Sequence, residues 1–148
     1  DRKAVRQRLG QRVRFALGEA HALPFQDDQF ICATVGFGIR NFTDVHRALR
    51  EMARVVMSGG RVVSLEIVRL EGKGPISRLF PLHFRYIAPL LGAFLAGDRQ
   101  AYTYLPESVQ GFLSARELSE AMEEAGLTKV RHRSLALGAV AIHVGRKP

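Results

Sequence analysis

Few side chains in this sequence stand where chemistry is usually done. Arg40 and Asn41 follow Phe30 to Val35 (FICATV), an apolar, β-rich run too short for a helix. They therefore sit at the end of a strand, where α/β sheets present ligands. A guanidinium and an amide there can hold developing negative charge. The plain structural alternative is Arg40 bridging its loop to a helix C-terminus. Glu66 lies near the end of a second run, Arg61 to Val68 (RVVSLEIV), and is a candidate carboxylate for a water relay or a helix cap. Tyr102 and Tyr104 alternate, so only one side of an extended segment can face a pocket, with core packing as the alternative.

Other chemistries lack their residues. Gly36-Phe37-Gly38 opens like a dinucleotide fingerprint, but Asn41 stands where the third glycine belongs, and the next strand offers Glu66 instead of a clear ribose-binding acid. There is no phosphate loop, no G-x-S-x-G elbow and no H-E-x-x-H, so hydrolase chemistry has no support. The single cysteine, Cys32, closes no intramolecular disulfide, and no Cys/His set has zinc spacing, so we expect no metal and a reducing cytoplasm. His143, alternating within an apolar strand, reads as a satisfied core residue, and Asp27-Asp28 as a turn.

The elements that must carry these residues follow from periodicity. The chain opens at Asp1 in what reads as the end of a helix, with Val5 and Leu9 before Gly10. Arg12 to Leu17 (RVRFAL) alternates like a short strand, and a loop (EAHALPFQDD) leads to the Phe30 to Val35 strand, which reads as buried on both faces inside a parallel sheet. Asp44 to Met57 places Val45, Ala48, Leu49, Met52, Val55 and Val56 on one helical face, with Thr43 or Asp44 as cap and Gly59-Gly60 as stop. Strand, helix and strand then make a right-handed crossover. Residues 75–97 are apolar but interrupted by Arg78, Pro81, His83, Arg85 and Pro89, which argues for short helices over a membrane span. Ser114 and Glu117 form a capping box for a helix ending at Gly126, followed by an antiparallel hairpin of Thr128 to Leu135 and Ala139 to Arg146.

Hydrophobic residues at 47% and charged residues at 24% of 148 put the chain in the ordinary globular range, long enough for its own core. The net charge of +8 attracts polyanions. Six of the basic residues fall in the first fourteen, which reads more simply as a solvated helix face, and no aromatics interleave with arginine to stack bases.

The segments GEAHALPFQDDQF, GFGIRNFTD, ALREMARVVMSGGRVVSLE, YTYLPES and LALGAVAIHVGRKP together resemble the ubiquinone/menaquinone biosynthesis C-methyltransferase family, from residue 1 to 148. The resemblance implies the C-terminal portion of a class I, Rossmann-like methyltransferase: α/β, a mainly parallel sheet with an antiparallel C-terminal hairpin, the first strands and glycine loop absent, and a substrate-side helical insertion over 75–113. It implies S-adenosylmethionine as cofactor and a prenylated quinol, a demethylmenaquinol or ubiquinol precursor, as substrate. Arg40 and Asn41 carry over as catalytic, Glu19, Ala20 and Gly36 as cofactor-binding, and Tyr102, Tyr104 and Glu66 as substrate-side residues. Relatives often have serine where Gly36 stands and Lys-Pro where Met57-Ser58 stands. A fragment of this kind is expected to be inactive alone, to leave open sheet edges, and to rearrange its first strand or pair with a second copy by swapping. The 75–97 stretch would then be either a surface for the polyprenyl tail, placing the protein at the periphery of the inner membrane, or ordinary core cover. Two readings from other classes stay open: a noncatalytic membrane-surface or assembly module, and a nucleic-acid-binding domain driven by charge.

Overall fold

The computed structural model describes residues 13–71 and 108–148. Four strands form one sheet in the order β1-β2-β4-β3: β1 (Phe30–Gly36), β2 (Val56–Ile67), β3 (Thr128–Leu135) and β4 (Val140–Arg146). β1 pairs with β2 in parallel, and β4 pairs antiparallel with both β2 and β3. Helix α1 (Val45–Val55) joins β1 to β2, and α2 (Ala115–Glu124) precedes the hairpin.

Each helix forms for the reasons legible in its sequence. Asp44 caps α1 by accepting from the Arg47 amide at 2.9 Å, and Ala48, Leu49, Met52, Ala53 and Val55 turn inward. α1 ends earlier than expected, because the chain enters β2 directly at Val56. In α2 the capping box is complete: Ser114 accepts from the Glu117 amide at 3.2 Å, and Glu117 accepts from the Ser114 amide at 2.8 Å. Leu118, Ala121 and Met122 enter the core, and the helix stops at Gly126. Along β2, Val62, Ser64 and Glu66 alternate onto the fully buried face, as Ala141, His143 and Gly145 do along β4. This face packs on the apolar stripes of α1 and α2 in one cluster that includes Leu49, Met52, Val62, Leu118, Met122 and Ala141.

A local irregularity fixes the β1–β2 register. Phe30 stands opposite Val56 and Cys32 opposite Arg61, so β2 bulges through Gly59 and Gly60. Gly59 has φ +80°, and a Cβ on Gly60 would lie 2.5 Å from the Ile31 carbonyl oxygen, so the close approach of the strands requires glycine there.

Two sequence expectations are corrected. Residues 13–17 form no strand; Val13, Phe15 and Leu17 are exposed, because no described strand offers them hydrogen-bond partners. For the same reason β1 is not buried on both faces. Among the described strands it lies at the edge, and Ile31 is 74% exposed. The parallel part of the sheet is thus the β1–β2 pair alone among the described strands, and the antiparallel C-terminal hairpin stands as expected. Residues 1–12 and 72–107, with most of the 75–113 insertion, lie outside the described residues. The described segments on either side of 72–107 meet: Arg69 bridges Ser114, and its amide donates to Leu113 O at 3.1 Å.

Candidate active site

β1 ends at Gly36, and the chain turns sharply at Phe37 (φ +52°) into a single 3-10 turn, Ile39–Asn41. Ile39 is buried in the core, which fixes the turn over the C-terminal ends of β1 and β2. Phe37 N–H donates to Leu65 O at 2.8 Å, tying the turn to β2. Arg40 then reaches Glu66, which is fully buried at the end of β2. The Arg40 Nη1 donates to Glu66 Oε1 in a close ion pair, and the Arg40 amide approaches Oε2 at 3.4 Å. The Ile67 amide donates to the same Oε1 at 2.9 Å. Charges leave water only when paired and hydrogen-bonded, and this carboxylate meets both conditions. The Arg40 side chain is itself only 10% exposed, and its Nε is buried without a partner. Arg40 is thus held from one edge of the guanidinium, with a second donor site unused among the described residues.

The loop ahead of β1 comes to the same region. Glu19 and Ala22 form an isolated bridge, with Ala22 N–H on Glu19 O at 3.0 Å, and Ala20 sits at the tip. His21 joins this loop to the 3-10 turn. Its Nε2 accepts from the Asp44 amide at 3.2 Å, so Nδ1 carries the hydrogen and donates to Glu19 Oε1 at 2.7 Å. Its ring also meets Phe42 edge-on, centroids 6.0 Å apart. The His21 amide and ring hold the Glu19 carboxyl below its ordinary value, so this exposed group is ionised at neutral pH. A Cβ built on Gly36 meets nothing within 4 Å, so the strand end faces open space.

The structure therefore brings Arg40 and Glu66 into contact at the ends of β1 and β2, next to Gly36 and Asn41 in the chain, and ties the Glu19–Ala20 loop to the following residues Phe42, Asp44 and Arg47 through His21. Tyr102 and Tyr104 lie outside the described residues. Glu66 serves here as the buried partner of Arg40. His143 is fully buried, with Nε2 on Ala115 O at 2.7 Å, while its Nδ1 lacks a partner; Asp27 and Asp28 form a turn in which each pairs with a cation. Sequence reasoning missed His21, whose cue was its place two residues after Glu19 in a polar loop. Among the described residues no group of three or more His, Cys, Asp or Glu is placed to hold a metal, and no described helix is long and apolar enough to cross a membrane.

Comparison with known proteins bears on this arrangement. The model of the ubiE/COQ5 methyltransferase family matches residues 1–147. A demethylmenaquinone methyltransferase of Roseiflexus castenholzii is 45% identical over 139 residues, 93% of this chain and 58% of that protein. The mitochondrial 2-methoxy-6-polyprenyl-1,4-benzoquinol methylase of Homo sapiens is 43% identical over 145 residues, 98% of this chain and 44% of that protein. This chain thus spans about half the length of the curated relatives it matches. Among solved structures, a SAM-dependent methyltransferase from Thermotoga maritima superposes with a TM-score of 0.62 at 21% identity, over 100% of this chain and 70% of that one, a likeness of fold.

Proposed function

The chain belongs to the ubiE/COQ5 methyltransferase family, and from that premise we propose that it serves S-adenosylmethionine-dependent C-methylation of a prenylated quinol in quinone biosynthesis. The observation that carries the reading is the buried Arg40–Glu66 pair, which holds a guanidinium with an unused Nε at the strand ends. The relatives' names favour a benzoquinol or naphthoquinol as the substrate class. The residues present suit the adenine end of the cofactor: an ionised acceptor at Glu19, a backbone amide at Ala20, and open space over Gly36. When bound, S-adenosylmethionine supplies an electrophilic methyl group on a sulfonium.

The remaining tasks fall to the protein. A ring carbon of a quinol becomes nucleophilic when a neighbouring hydroxyl loses its proton. Arg40 is a donor, its guanidinium paired with Glu66, so its part is to hold charge and not to take that proton. Its guanidinium stabilises the phenolate oxygen while water carries the proton away. Glu66 fixes the guanidinium and balances its charge, and Asn41, next in the chain, belongs to this reading as the second catalytic residue. Tyr102 and Tyr104 belong to this reading as substrate-side residues. The ribose and methionine end of the cofactor would be held by parts that the longer relatives have and this chain does not match, so the 148 residues alone do not turn over. The β1 edge, open among the described residues, supports pairing of two copies, and a prenyl tail supports contact with the inner membrane from the cytoplasm.

Calorimetry tests this. S-adenosylmethionine is titrated into the chain alone and into the chain completed with the part of the Roseiflexus relative that it does not match. Tight binding by the completed protein only is expected. A completed protein that ignores the cofactor, yet is retained on DNA with steep salt dependence, would replace this reading with charge-driven nucleic-acid binding.

A further inference from the structure

The loop that carries Glu19 and Ala20 has almost no regular structure, yet its backbone is gripped from one side by α1. Leu23 N–H donates to Glu51 Oε2 at 2.8 Å. Arg54 Nη2 donates to Leu23 O at 3.1 Å, and Nη1 to Phe25 O at 2.9 Å and Asp27 Oδ1 at 2.6 Å. Arg54 and Glu51 are locked to each other as a fork, Nε on Oε1 and Nη2 on Oε2, both at 2.8 Å. One turn earlier, Arg47 Nε donates to His21 O at 3.0 Å. The opposite face of α1 is in the core, so the helix is a fixed support.

We propose that Glu51 and Arg54 are positioning residues for cofactor binding, acting together as a clamp that holds the Glu19–Ala20 tip in its binding geometry. The inference rests on the reading of Glu19 and Ala20 as the adenine contact. Loop and helix meet here through the hydrogen bonds given above. They border a groove of about 470 Å³ lined by His21, Leu23, Arg47, Arg50, Glu51 and Arg54, so polar contacts carry the positioning there. An arginine is required because one planar fork serves the Glu51 carboxylate, two carbonyls and Asp27 at once; a lysine ammonium has three donors on a single atom and cannot span them. Charge supports the geometry, since the Arg54 bond holds the Glu51 carboxyl at about 2 and keeps it ionised as an acceptor for Leu23.

Backbone amide exchange on the 148-residue chain and titration of the completed protein with S-adenosylhomocysteine as the probe, both read by NMR, decide the matter. In Arg54→Lys the amides of Ala22 and Leu23 should exchange about tenfold faster, while those of β2 and β4 keep their wild-type protection. The probe should move the Ala20 amide in the wild type, with affinity about tenfold weaker in Arg54→Lys. A structural role alone would lower protection throughout and leave the loop no worse than the sheet. If Arg54→Lys loses the sheet protection as well, Glu51→Gln, which keeps size and an acceptor oxygen, serves in its place with the same localised pattern expected. Unchanged exchange at Ala22 and Leu23 in the folded variant overturns the clamp. A completed protein whose Ala20 amide ignores the probe overturns the cofactor reading instead, and with it the clamp's stated purpose.

Discussion

Arg40 and Glu66 are separated by 26 positions and meet in the core, where Glu66 has no contact with water. Removing one member of such a pair strands the other. Glu66→Ala should therefore cost about 3–5 kcal/mol of folding stability, measured by urea denaturation. A loss below about 1 kcal/mol would mean that the carboxylate is not buried as a charge. Carboxylates and a histidine also set the acid limit of the fold. Arg54 holds Glu51, and the Ser114 amide and hydroxyl with Arg69 hold Glu117, each at about 2 against an ordinary 4.5. Depressed carboxylates contribute stability that is present above pH 4.5 and lost as pH falls toward 2. Burial pushes the His143 imidazole below its ordinary 6.5, with the Ala115 carbonyl opposing, so its contribution is likewise present above 6.5 and lost on acidification. The melting temperature should thus decline from about pH 6.5 downward, and Glu51→Gln with Glu117→Gln should flatten the part below pH 4.5. A melting temperature independent of pH over that range would contradict these assignments. Arg40 and Asn41 were legible as strand-end residues from sequence. The partner of Arg40 was not, because pairing across the β1–β2 crossover depends on register, which no local pattern encodes.

Elements were more legible than contacts. The capping box at Ser114, the α1 stripe and the hairpin all follow from local signals that agree with the final packing. Ser114→Ala should lower stability by about 1 kcal/mol in thermal melts, since it removes the acceptor for the Glu117 amide; no change would show that α2 is held by its core face alone. The Gly59-Gly60 pair read as a helix stop, yet its stronger role is the bulge beneath Ile31. Gly60→Ala should destabilise the fold by about 1–3 kcal/mol, because the new methyl meets a backbone carbonyl that cannot swing aside. Arg12 to Leu17 shows the converse case. Its alternation is that of a strand, but a strand exists only where a neighbour supplies hydrogen bonds, and none of the described strands does so.

At the scale of the molecule, the sheet is covered by two helices on one face and ends at β1 in an unpaired edge among the described residues. That edge carries Ile31, 74% exposed. Open apolar edges pair with other chains, so Ile31→Lys should shift the chain toward monomer in analytical ultracentrifugation; an unchanged distribution would remove β1 as the contact. Methyl transfer by the completed protein is the most direct readout. The completed protein is supplied with isotopically labelled S-adenosylmethionine and, separately, a demethylated prenyl naphthoquinol and a 2-methoxy-6-polyprenyl benzoquinol, and the products are analysed by mass spectrometry. Label is expected on a ring carbon of at least one quinol, with kcat reduced about a hundredfold or more by Arg40→Ala. Absence of ring label with both quinols, or an Arg40→Ala protein as fast as wild type, would contradict this reading.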